Sequence, residues 1–179
     1  MKIVTFNINS IRTRAHQMEA LVEKHDPDII CIQETKVHDD MFPFDLYKDL
    51  GYHIEIHGGK AHYGVATFSK QKPIAVEKGF PNDAEDAQRR MIITTFQYGD
   101  ETIKVLNGYF PQGENREHPT KFPYKQKFYQ DLQDYLESHD IENIRTIVLG
   151  DINISQLDID IGIGEPNRKR WLREGKCSF

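Results

Sequence analysis

The sequence predicts an α/β domain built around a parallel or mixed sheet, and three observations predict it. First, a short β-branched and aromatic strand, "KIVTFNI", leads into an amphipathic segment, "RAHQMEALVEKHD", and then into a continuously apolar run, "PDIICIQE". Strand, crossover helix and strand form the parallel βαβ unit. Second, the middle of the chain alternates in pairs of strands separated by short polar links, the pattern of antiparallel hairpins. Third, several strands end in carboxylates, carboxamides or a tyrosine, and ligands of open α/β sheets collect beyond one set of strand ends.

Each element has its own reason. Met18, Leu21 and Val22 recur at helical spacing in the first helix, Ala15 and Ala20 add propensity, and Pro27 stops it. The run around Cys31 is apolar on both parities, so it reads as a strand buried on both faces. "HDDMFPFDLYKDLG" reads as a short helix with irregular flanks. "YHIEIHG" alternates like a half-buried strand and pairs, across the flexible "GGKAHYG", with "VATFSK". "FPNDAEDAQ" is an acidic loop. "RRMIITTFQY" and "TIKVLNGYF" flank "GDE" as a hairpin, and "PQGENREHPTKFP" is a long polar loop. "YKQKFYQDLQDYLESH" is a helix whose apolar face carries Phe128, Leu132, Tyr135 and Leu136. "IRTIVLG" reads as a buried strand that ends in Asp151 and Asn153.

Composition narrows the function. The 179 residues carry a net charge of -5 and a pI near 5.9, which argues against coating nucleic acid by bulk electrostatics. A local basic rim around an acidic centre remains compatible with that balance, and it is what a divalent cation beside phosphate needs. A chain of this length buries roughly 68–70% of its unfolded surface, enough for one domain. Cys31 and Cys177 have neither metal nor disulfide spacing, which points to a reducing, cytoplasmic location. The N-terminus does not read as a signal peptide, and no apolar run approaches the roughly 18 residues of a membrane span.

The polar strand ends are the candidate site. They are Asn7, then Gln33 and Glu34, then Asn107 and Tyr109, then Asp151 and Asn153. Asn7-Ile8-Asn9 and Asp151-Ile152-Asn153 repeat one pattern, with polar groups two apart on an extended segment pointing the same way. Asp and Asn also start turns, and Tyr109 also fits a core position. A hard divalent cation takes oxygen from one or two carboxylates and completes its shell with water and phosphate. Glu34 and Asp151 supply that chemistry, with Asn7 beside them. Basic residues lie in the loops: Arg12, Arg14, Lys36, Arg89, Arg90, Arg116, Lys121 and Lys125, and later the run "NRKRWLR" with Trp171.

At these residues the chain resembles a known family. "FNINSIRTR", "PDIICIQETKVHDDMFP", "HYGVATFSK", "NGYFPQGE", "LGDINIS" and "NRKRWLREGKCSF" are similar to bacterial exonuclease III. That is the AP endonuclease family of the endonuclease/exonuclease/phosphatase superfamily, and the similarity runs over essentially the whole chain. The resemblance implies a four-layer α/β sandwich, of which residues 1–179 form a part truncated at its C-terminal end. It implies metal-dependent phosphodiester hydrolysis in double-stranded DNA: 3′–5′ exonuclease action, incision 5′ to abasic sites and cleaning of 3′ ends, in base-excision repair. Mg²⁺, with Mn²⁺ as a substitute, is the implied cofactor. Glu34 is the implied principal metal ligand, with Asn7 beside the metal. Asp151 orients or deprotonates the attacking water, Asn153 holds the scissile phosphate, and Tyr109 contacts phosphate or nucleophile. Gln112, Arg90, Arg116 and Lys121 are assigned to DNA.

One departure stands against that pattern. The family's later Asp-His segment and further active-site residues have no counterpart here, and neither His16 nor His118 replaces them by motif. Three expectations follow: an exposed apolar sheet face through which copies could associate, impaired catalysis, and a parent that works as a monomer without any membrane. An inactive remnant or DNA-binding fragment stays open as the alternative reading. Hydrolysis of phosphoinositides or sphingomyelin would share Glu34 and Asp151 but lacks the "NGYFPQGE" resemblance.

Overall fold

The computed structural model describes residues 1–59, 62–138, 144–155, 167 and 169. The chain divides into two compact units, one of residues 1–109 and 135–151, the other of residues 110–134 and 152–179.

The first unit is an α/β sandwich of two four-stranded mixed sheets. The first sheet takes β1 (Ile3–Asn7), β2 (Ile29–Gln33), β4 (Gly64–Ser69) and β3 (His53–Gly58), in that spatial order. The second takes β5 (Ala75–Lys78), β6 (Met91–Tyr98), β7 (Glu101–Tyr109) and β8 (Arg145–Asp151). β1 and β2 are parallel, as the crossover by α1 (Ala15–His25) requires, and β7 and β8 are parallel as well. The hairpins β3–β4 and β6–β7 are antiparallel. α1 ends on Asp26, whose left-handed backbone returns its N–H to the Val22 carbonyl at 2.8 Å.

Parity along β2 builds the layers. Ile30 and Ile32 pack with Met18 of α1, Tyr47 and Phe68 on the outer side of the first sheet. Ile29 and Cys31 face the other way, into a core shared with Phe96, Ile103 and Val105 of the second sheet. All five β2 residues are buried. On the outer face of the second sheet, Lys104 donates to the Tyr135 hydroxyl at 3.0 Å, and that hydroxyl donates to Glu77 at 3.0 Å. Polar side chains also cross between the sheets. The Gln33 amide donates to Asn107 Oδ1 at 2.7 Å, and the Asn107 amide donates to the Ala66 carbonyl at 2.9 Å. Two polar strand-end residues, Gln33 and Asn107, are therefore buried fasteners and do not reach a surface site.

The second unit holds the loop from Phe110 and most of α2 (Lys121–Ser138), which accepts Pro123 because the first turn has no intrahelical N–H partner to lose. Phe110 packs edge-on against Phe128 at 5.2 Å between centroids. As expected, Phe128, Leu132 and Tyr135 form the helix's buried face.

Three expectations need correction. Three 3-10 turns (Asp39–Met41, Phe44–Leu46 and Lys48–Leu50) replace the short helix, because prolines and paired charges break α-helical runs there. "AVEK", unread as a strand, forms β5 at a sheet edge where two charged residues are tolerated. β8 is half-exposed: it lies at an edge, and Val148 on its outer side is 38% exposed. Apolar content therefore overstated its burial. Between the sheets Ile29 and Cys31 are fully buried with Phe96 and Val105, whereas Ile3, Ile147 and Leu149 on the edge strands β1 and β8 are only partly buried. Among the described residues no helix is long and apolar enough to cross a membrane. Arg168, Arg170, Trp171, Arg173 and Cys177 lie outside the described residues.

Candidate active site

Parallel pairing puts the strand ends of the first unit at one edge. Asn7 is the register partner of Gln33, which precedes Glu34, and Tyr109 is the partner of Asp151. The two pairs come from different sheets, yet one side chain joins them. Asn7 Nδ2 donates to Glu34 Oε1 at 3.0 Å and to Asp151 Oδ2 at 2.8 Å. The amide is oriented for this by its own oxygen, which accepts the Asn9 backbone N–H at 3.0 Å. Its nitrogen, and not its oxygen, therefore faces the carboxylates.

The backbone at this edge is held in an uncommon conformation. Asn9, Ser10, Glu34 and Lys36 all have positive φ, from 47° to 90°. Such residues cost of order 1–3 kcal/mol each and persist only where the surroundings impose them. Here the ladder continues past the strands: the Ser10 N–H donates to the Glu34 carbonyl at 2.8 Å and the Ile11 N–H to the Thr35 carbonyl at 3.1 Å. Gly150 explains the close approach on the other sheet. At φ +136°, an added Cβ would lie 1.9 Å from the Gly108 carbonyl oxygen. Only glycine lets β7 and β8 bring Tyr109 and Asp151 side by side.

Charge is arranged around Glu34. Burial pushes its carboxyl upward, but hydrogen bonds from Asn7, Lys36 and Tyr109 and the Lys36 charge outweigh that, so it ionises below its ordinary range. Lys36 Nζ lies 2.9 Å from Glu34 Oε2. Tyr109 is the converse. Burial first, then Glu34, pushes its hydroxyl to about 12. At neutral pH the site has an anionic Glu34 and, beside it, a protonated Tyr109.

Glu34 and Asp151 are hard oxygen donors that one amide gathers, with no sulfur or imidazole in the set. Among the described residues no group of three or more His, Cys, Asp or Glu stands together to hold a metal. The residues therefore fit a cation that takes two protein carboxylates and leaves the rest of its shell to water and phosphate, the habit of Mg²⁺.

Arg90 lies elsewhere than an open rim. It is 8% exposed, with its guanidinium 4.5 Å from the ring centroids of both Tyr63 and Tyr109. Nη1 donates to the Tyr109 carbonyl at 3.0 Å and Nε to Gln88 at 2.7 Å.

The second unit gathers other predicted residues. Asn153, at φ 50°, donates its amide to the Phe110 carbonyl at 2.9 Å. Lys125 is buried on α2 and donates to the Asn153 carbonyl at 2.9 Å and the Gln112 carbonyl at 3.3 Å. Gln112 and Arg116 are exposed, and exposed Lys121 pairs with Glu114. The sequence offers Lys36, Lys125 and Arg90 only as basic loop residues, with Arg90 assigned to DNA by the resemblance, and does not single out Tyr63. For Arg90 and Tyr63 the available signal is that each immediately precedes a strand, β6 and β4; Lys36 and Lys125 carry no such signal.

A model described as Endonuclease/Exonuclease/phosphatase family matches residues 4–177. Exodeoxyribonuclease III of Haemophilus influenzae is 54% identical over 179 residues, covering all of this chain and 67% of that protein. Exodeoxyribonuclease of Bacillus subtilis is 30% identical over 173 residues, covering 94% and 64%. An AP endonuclease structure from Archaeoglobus fulgidus superposes with a TM-score of 0.80 at 32% identity, over 97% of this chain and 69% of that one. The chain thus spans about two thirds of the length of these relatives. From the family match over nearly its full length and these similarities, the chain belongs to the endonuclease/exonuclease/phosphatase family, on the branch that holds exodeoxyribonuclease III and the AP endonucleases.

Proposed function

We propose that this chain carries the phosphodiester-hydrolysing site of a DNA-repair nuclease acting on double-stranded DNA, at 3′ ends and 5′ to abasic sites. The observation that carries the reading is Asn7 bridging Glu34 and Asp151, at 3.0 and 2.8 Å, from two different sheets. Two carboxylates held together at the strand ends serve a reaction that must collect a cation, a water and a phosphate.

Glu34 would be the principal holder of Mg²⁺, which Mn²⁺ could replace, with Asp151 and Asn7 beside it. Bound there, the cation would neutralise charge developing on the phosphate oxygens. Asp151 accepts the proton of the attacking water and orients it. Asn7 keeps the two like charges in place by donating to both. Tyr109, protonated to about pH 12, donates a hydrogen bond and does not act as a base near neutrality. Asn153 holds the scissile phosphate. Gln112, Arg116 and Lys121 contact the DNA backbone, which fixes register without reading sequence. A monomer in the cytoplasm is the form this reading implies.

The test is incision of a duplex with one abasic site, in Mg²⁺ and in chelator. The expected product is a nick 5′ to the site that leaves a 3′ hydroxyl, formed only with the cation. Cleavage that is indifferent to chelator contradicts the reading. Duplex binding without any cut would favour a DNA-binding fragment.

A further inference from the structure

We infer that Arg90 is a positioning residue that aims Tyr109 at Glu34, and not a contact to DNA phosphate; the inference rests on the nuclease reading above. The guanidinium lies 4.5 Å from both the Tyr63 and the Tyr109 ring centroids, and Arg90 is only 8% exposed. Two of its nitrogens are committed, Nε to Gln88 at 2.7 Å and Nη1 to the Tyr109 carbonyl at 3.0 Å. A phosphate contact needs the cation at the surface, whereas this one is stacked and capped.

The surrounding backbone closes a ring of contacts. The Tyr109 N–H donates to the Arg90 carbonyl at 2.7 Å, and the Gly64 N–H donates to the Arg89 carbonyl at 3.0 Å. Residues 89 and 90 thus tie β7 of one sheet to the start of β4 in the other. From there the Lys36 N–H reaches the Tyr63 carbonyl at 2.9 Å and the Thr35 N–H reaches the Gly64 carbonyl at 3.1 Å. The turn that carries Glu34 therefore hangs on Tyr63, Tyr63 stacks on Arg90, Arg90 stacks on Tyr109, and the Tyr109 hydroxyl returns to Glu34. Among the described residues Arg90 is the cation that lies against both rings, and its planar guanidinium can stack on them as an ammonium cannot.

Four variants in the full chain test this: Arg90→Met, Arg90→Lys, Tyr109→Phe and the pair Arg90→Met with Tyr109→Phe. Misplacement of a reacting group by about 1 Å costs about 100-fold, so Arg90→Met should lower the single-turnover incision rate by about 10- to 100-fold. Arg90→Lys keeps the charge but cannot stack, and should fall with it. The salt dependence of duplex binding should match wild type in both. In the Tyr109→Phe background, Arg90→Met should cost about threefold or less, because coupled residues are not additive. Rescue by lysine, a log–log salt slope shallower by about 0.9, or losses that multiply would each overturn the inference. Two controls separate it from misfolding and from the nuclease reading. Tyr63→Phe should behave as wild type while Tyr63→Leu reproduces Arg90→Met. With ¹³C-labelled tyrosine and no DNA present, the Tyr109 ring signal should move in Arg90→Met. An unmoved signal refutes the positioning role even if the wild type cuts no DNA, and a moved signal upholds it in that case.

Discussion

Two strand ends of this molecule carry nearly the same three residues, and they are held by different means. β1 closes with Asn7-Ile8-Asn9 and β8 with Asp151-Ile152-Asn153, each strand lying at the edge of its sheet. The third residue is left-handed in both, at φ 47° and 50°. Ile8, however, is fully buried in the core with Ile11 and Met18, whereas Ile152 is 48% exposed. After β8 the support is polar: Tyr129 donates its hydroxyl to the Ile152 carbonyl at 2.6 Å, and Lys125 donates to the Asn153 carbonyl at 2.9 Å. One end is anchored by burial and the other by side chains that clasp its backbone. The lesson is that a short polar signature fixes which groups are offered, while the apolar residue between them decides how rigidly they are offered.

Asp151→Asn makes the two ends identical in sequence, and it is the substitution of largest expected effect. It removes the group that accepts the water's proton and keeps the shape. The single-turnover rate on abasic duplex should fall by about 10²–10⁴-fold, with affinity nearly unchanged because the ground-state contacts persist. Equal losses in rate and affinity would contradict the role.

The next comparison sets Ile8→Ala against Ile152→Ala in urea unfolding. Deleting a buried isoleucine to alanine costs about 2–5 kcal/mol, whereas an exposed one changes stability by about 0.5 kcal/mol or less. Similar costs at both positions would erase the distinction between the two ends.

The smallest effect is in pH dependence. Glu34 ionises below its ordinary 4.5 in the folded chain. Its stabilising contribution is therefore complete above that value and is lost as acid protonates it in the native state. In the second unit Lys125 is lowered from 10.5 by burial. Its penalty is present at neutral pH and is relieved as pH rises toward 10.5. Glu34→Gln should flatten the acid limb of a stability–pH curve and leave the alkaline limb alone, and Lys125→Met should do the reverse.

Much of this arrangement was legible in the sequence, and the rest was hidden for physical reasons. Period and apolar runs predicted α1, α2 and the β1–β2, β3–β4 and β6–β7 pairs, because those elements bury what their patterns display. β5 was missed because an edge strand can be as charged as a loop. Glu34 and Asp151 stood out in sequence as carboxylates at strand ends, and Asn7 joins them in the structure. Gln33 and Asn107 were misplaced because the parity that turns them inward depends on which face each sheet buries, and that is fixed only when the second sheet packs on the first. Arg90 and Lys125 read as basic loop residues, Arg90 with an implied DNA contact, since nothing in sequence tells a cation that meets solvent or phosphate from one that stacks between rings or holds two carbonyls.

In the function proposed above, Glu34 and Asp151 from the ends of two sheets would form one oxygen site for a divalent cation. Mn²⁺ titrated into the protein and followed by its electron paramagnetic resonance signal tests it without any need for cleavage. One bound ion is predicted in the wild type, with affinity weakened by about tenfold or more in both Glu34→Gln and Asp151→Asn. Wild-type affinity in either variant would contradict the claim.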